Sequence, residues 1–182
     1  VFDPTDSLRH HAFFAELASL DDSDASWRSV SAGLVTLRLV DAWIEEGAAA
    51  VCADGWGVRS VEAAIEEMPA GTPQRAILGS VLESLKASRG GDMHSVAPRL
   101  MAYARALDFD ARWALAGDVY QTVIAHAHPV EESDVVIHAH LRLAYCERSL
   151  GALDRASESY EMASAIANEL GDMFGILRAQ IG

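Results

Sequence analysis

One segment of this chain returns forty residues after its first appearance. Ala116-Gly-Asp-Val-Tyr120-Gln-Thr-Val123 comes back as Ala156-Ser-Glu-Ser-Tyr160-Glu-Met-Ala163, in the same small-x3-aromatic-x2-small spacing. A fixed period of this length marks an array of supersecondary units, because one such unit cannot bury its own apolar face and must stack on a neighbour. The repeated residues have a packing role. Small residues let helix axes approach, and Ala104 and Ala144 recur at the same forty-residue step as Ala116 and Ala156. Tyr120 and Tyr160 are then the fillers between successive hairpins. A third, partial copy is read thirty-eight residues on, with Ile181 for Leu143 and Gly182 for Ala144.

The units must be helical. Hydrophobic residues make up 51% of the chain, much of that alanine, and runs of strictly alternating β-branched residues are missing. The prolines Pro4, Pro69, Pro73, Pro98 and Pro129 fall where helices start or connect. Periodicity and caps predict helices over about 5–20, 25–46, 56–68, 73–87, 94–108, 111–127, 134–149 and 153–170, with a ninth after Asp172. In the second, Trp27, Val30, Leu34, Leu37, Val40 and Ile44 form one buried stripe, which Leu39 and Trp43 widen. Asp24 and Thr72 read as N-caps, and Gly47 and Gly171 as stops. Residues 48–55 are ambiguous. Every connection after Gly91 is a few residues long, which makes antiparallel helical hairpins. The fold class is all-α, with an N-terminal helical region over 1–92 and repeats over 93–182. The first four helices read as a cap or as degenerate repeats. An ordinary bundle with a fortuitous echo is the alternative.

The second half resembles the tetratricopeptide repeat family, whose pattern is W-x2-L-G-x2-Y followed by A-x3-F. Leu143-Ala144 stands for the L-G step, Gly151 for the turn glycine and Ala156-x3-Tyr160 for A-x3-F; the earlier copy offers Tyr103-Ala104, Leu107 and Ala116-x3-Tyr120. His140 and Glu147 replace the usual tryptophan and tyrosine, and the period exceeds 34. The resemblance implies a right-handed superhelix of hairpins whose concave face, lined by the first helix of each pair, binds a protein or peptide. It also implies a non-catalytic part of a larger regulatory or adaptor protein.

Helical geometry locates that face. His140, Leu143, Ala144 and Glu147 share the packing side of their helix, so His138, Leu141, Arg142, Tyr145 and Ser149 lie opposite. The same construction exposes Met101, Arg105 and Phe109 on the helix before. Arginine grips carboxylates through a two-pronged fork, and tyrosine offers area with a polar tip. The candidate partner-binding set is Met101, Arg105, Phe109, His138, Arg142 and Tyr145. The Lys and Asn set with which one branch of the family clamps a chaperone tail is missing, since Met101, Ala102 and Arg105 occupy that region.

Other chemistry finds less support. A net charge of −13 without a basic stripe argues against nucleic acid and against an anionic membrane. Cys52 and Cys146 lack CxxC spacing, no run of eighteen apolar residues occurs, and His10-His11 interrupts the early apolar stretch. A cytoplasmic protein is the expectation, with self-assembly left open. His126-Ala-His128 and His138-Ala-His140 are the only temptation toward a metal, but residues two apart on a helix diverge by about 200°. The pairs Glu45-Glu46, Glu66-Glu67 and Glu131-Glu132 lack a partner motif for acid–base work, and Walker, GxSxG and HExxH patterns are missing. No cofactor, metal or catalytic residue is expected. The rival reading is a small-ligand or enzymatic site in the first half, around Trp43, Cys52 and Trp56.

Overall fold

Asp24 opens the longest helix: its Oδ1 accepts the backbone N–H of Ser26 at 2.8 Å, and the helix runs to Glu46 before Gly47 turns out of it at φ 76°. The structure, a computed structural model, describes residues 9–47, 56–88 and 93–181. These hold nine α-helices and no strand. They are α1 (His11–Ser19), α2 (Ala25–Glu46), α3 (Trp56–Glu67), α4 (Pro73–Ala87), α5 (Ala97–Phe109), α6 (Trp113–His126), α7 (Ser133–Ser149), α8 (Leu153–Leu170) and α9 (Met173–Ile181), with a 3₁₀ turn at Met93–Ser95 before α5. None of these helices is long and apolar enough to cross a membrane. The chain divides into two compact units, Val1–Asp92 and Met93–Gly182.

In the first unit α2 is the centre, touching α1, α3 and α4. That explains its wide apolar surface. Val30, Leu37, Val40 and Trp43 of α2 are fully buried, as are Phe13 of α1, Val61 and Met68 at α3, and Leu78, Val81 and Leu85 of α4. Each such side chain contributes about 1.5–3 kcal/mol through its removal from water. Trp27, which the sequence places in the buried stripe of α2, is only half-buried. The start of α1 differs from the sequence reading. His10 adopts a left-handed φ of 68°, and its buried ring places Nε2 2.9 Å from Asp41 Oδ2 on α2. His10 therefore anchors the entry to α1. The turn read at 48–55 and the residues before Arg9 lie outside the described residues, as do residues 89–92 and Gly182.

In the second unit each helix packs on the next, from α5 through α9, and α7 also touches α5 and α9. Ser133 of α7 and Met173 of α9 start forty residues apart, as do Trp113 of α6 and Leu153 of α8, and the 3₁₀ turn that leads into α5 starts at Met93, forty residues before Ser133. The small residues Ala104, Ala116, Ala144 and Ala156 are all buried. At Gly175 the backbone of α9 lies close to α8: a Cβ there would stand 2.9 Å from Ala167 Cβ.

Three details depart from the sequence reading. Ala111 is not helical but left-handed, φ 57°, the conformation Gly151 takes forty residues later at φ 77°. Ile181 is 76% exposed, unlike buried Leu143; counted from its helix start it is the counterpart of Leu141. Tyr120 is a fully buried filler, but Tyr160 is only half-buried. Trp113, like Trp27, is half-buried. Glu147, where the family pattern favours tyrosine, is buried and accepts a hydrogen bond from Ser159 Oγ at 2.7 Å.

Candidate functional site: a cationic groove on the second unit

The groove follows from helical periodicity. On α7, His138, Leu141, Arg142, Tyr145 and Arg148 recur at three- and four-residue steps and so form one stripe. Arg105, Asp108 and Phe109 do the same on α5, and Arg178 and Ile181 on α9. Together with Tyr160 of α8 they enclose an open groove of about 970 Å³. Its floor is α7, flanked by α5 and α9.

Five of the six residues singled out by sequence line this groove: Arg105, Phe109, His138, Arg142 and Tyr145. Phe109 is 92% exposed at the end of α5. Met101 does not belong. It is 4% exposed, closed over beside Ala97, Leu100 and Ala104 on the packing side of α5. Position 101 borders both faces of α5, and a flexible apolar thioether settles on the buried side.

The arginines are held differently. Arg142 forms an ion pair with Asp108, whose side chain is 4% exposed, while that of Arg142 is 39% exposed. The Arg142 guanidinium also lies over the Tyr145 ring, 4.8 Å from its centroid, and Arg148 approaches the same ring at 5.6 Å. Arg178 Nη1 stands 2.8 Å from His138 Nε2. A guanidinium only donates, so Nε2 accepts and a neutral His138 carries its proton on Nδ1. Among the described residues, no carboxylate is in ion-pair contact with Arg105 or Arg178.

Sequence reasoning missed Asp108, Arg148, Tyr160 and Arg178. A signal existed for Arg178, which stands forty residues after His138, and for Arg148, three residues beyond Tyr145. Asp108 stands three residues beyond Arg105, but its pairing with Arg142 follows only from the contact between α5 and α7.

The remaining candidates scatter. His140 is buried, which lowers its pKa by desolvation, and its Nδ1 has no hydrogen-bond partner. His128 Nδ1 instead accepts the backbone N–H of Glu131 at 3.2 Å in the turn before α7. No group of three or more potential metal ligands occurs among the described residues. Burial pushes the Cys146 thiol up to about 11, away from the thiolate that a nucleophile requires. Around the rival location, Trp43 is fully buried in the core of the first unit, and Cys52 lies outside the described residues.

No protein-family model matches the chain, and neither a curated protein nor a solved structure matches it significantly.

Proposed function

We propose that residues 93–182 are a tetratricopeptide-like, non-catalytic module that holds a segment of a partner protein along this groove. In this reading the chain serves a cytoplasmic regulatory or adaptor protein, and its ligand is neither nucleic acid nor membrane. The observation that carries it is the convergence of Arg105, Arg142, Arg148, Arg178, Tyr145 and Tyr160 in one open groove. Arginine and tyrosine are the residue types that dominate binding energy at protein interfaces. The forty-residue spacing of helix starts supports a superhelical array of hairpins, in which α5, α7 and α9 are the first helices and line the concave side.

The test is affinity capture from a lysate of the source organism, read by mass spectrometry, on the wild-type chain and on an Arg105→Glu, Arg178→Glu variant. Both arginines lie outside the core, so the variant should melt as the wild type does. A partner lost in the variant supports the reading. A partner retained moves the site elsewhere, and the lack of any specific partner removes the basis for a binding module.

A further inference from the structure

Residues 93–182 contain seven arginines, no lysine and twelve carboxylates. A surface drawn from such a population should be acidic. The groove is the reverse: it gathers four of the seven arginines and a single carboxylate, Asp108. That carboxylate is already committed to Arg142. Eleven acidic residues of this unit lie outside the lining, in a chain of net charge −13. From these charges, and resting on the groove being a peptide site, we propose that its occupant is an extended acidic segment of a partner protein, carrying apolar residues among its carboxylates.

The arrangement fits that chemistry in three respects. Arg105 and Arg178 sit on the two flanking helices, α5 and α9, and meet no carboxylate of the chain among the described residues. They are open to pair with carboxylates separated along an extended ligand, each in a two-pronged geometry. Between them Arg142 is already fixed by Asp108 and by the Tyr145 ring, so the central cation is presented with little freedom left to lose. At the borders Phe109 and Ile181 are largely exposed. They would cover apolar side chains of the ligand, and they contribute nothing to an inorganic anion. A nucleic acid is disfavoured because a long polyanion extends beyond the groove into the field of the remaining negative charge, whereas a short acidic segment keeps its carboxylates among the arginines.

The experiment uses a random-sequence peptide library passed over the immobilised 182-residue chain. The Arg105→Glu, Arg178→Glu variant, its helicity verified by circular dichroism, runs in parallel. Retained peptides are sequenced. The expected result is enrichment of Asp and Glu, together with bulky apolar residues, on the wild type only. One enriched peptide, labelled for fluorescence anisotropy, should weaken by about tenfold to a hundredfold for each single charge reversal. Raising the salt should weaken it further. Peptides that are retained and lost in the variant but show no acidic enrichment would overturn this inference while leaving the groove a peptide site. No peptide retained by the wild type above the variant would sink both. Displacement of the labelled peptide by an equal concentration of oligothymidylate would overturn it in favour of a nucleic acid.

Discussion

Ala111 adopts a left-handed backbone, φ 57°, directly after α5. In that conformation Arg112 N–H reaches back to Leu107 O at 2.9 Å, and forty residues later Ala152 N–H makes the same bond to Glu147 O, also at 2.9 Å, around Gly151. The two turns are alike, and only the residue differs. An L-residue held left-handed costs roughly 1–2 kcal/mol, and glycine relieves this at an entropic cost of about 0.5–1 kcal/mol. Ala111 is exposed, so its methyl has little burial to lose. Ala111→Gly should therefore stabilise the protein by about 0.5–1 kcal/mol. Gly151→Ala should cost a similar amount, and purely through the backbone, since nothing lies within 4 Å of a Cβ placed there. Urea titrations followed by helical circular dichroism measure both. Destabilisation by Ala111→Gly, or an unaffected Gly151→Ala, would refute the argument that turn conformation sets these energies.

Other substitutions probe the packing and the groove. Tyr120→Ala should cost about 3–5 kcal/mol as a fully buried aromatic, while half-buried Tyr160→Ala should cost no more than about 2 kcal/mol; equal losses in denaturant melts would contradict their different burial. Tyr120→Phe should be neutral or stabilising, because its buried hydroxyl has no hydrogen-bond partner. Arg142→Glu should itself lower stability by about 1–3 kcal/mol, since it sets a second carboxylate beside buried Asp108; an unchanged urea midpoint would mean that the pair does not hold the groove together. His140 has a folded pKa below its ordinary 6.5, so the unfolded chain binds more protons, and its contribution is complete above pH 6.5 and declines as pH falls toward the folded value. His140→Leu should flatten that part of the pH dependence in urea midpoints taken near pH ~7.5 and ~5.5; an identical slope would assign it to other groups.

The helices were legible because their signals are local. Asp24, Gly47 and the apolar stripe between them mark α2 at both ends, and Leu153 to Gly171 marks α8 in the same way. Ala111 was not legible, since an alanine at a left-handed turn looks like helix; only its alignment with Gly151 betrays it. The groove was half legible. Arg142 and Tyr145 follow from the geometry of one helix. Asp108 and Met101 do not, because whether a side chain at the border of two faces is buried or aimed outward depends on the neighbouring helix. The arginines of the groove announce themselves only when three helices are brought together, and their net sign opposes that of the chain.

Asp108 allows the two sources of affinity in this groove to be separated. Replacing it by asparagine removes the only carboxylate of the lining and so raises the local charge. In water at ~8 Å the repulsion relieved from a ligand carboxylate is about 0.5 kcal/mol, and salt reduces it further. The same change releases Arg142 from its ion pair, and fixing a long side chain on binding costs about 0.5–1.5 kcal/mol. The second effect is the larger. Asp108→Asn should therefore weaken the binding of an acidic peptide, by up to about tenfold, even though it makes the groove more positive. Anisotropy titrations with the labelled peptide decide the matter. Tighter binding by the variant would mean that summed charge, and not a fixed central arginine, governs the site. In that case Arg142 would act as one more mobile cation beside Arg105 and Arg178.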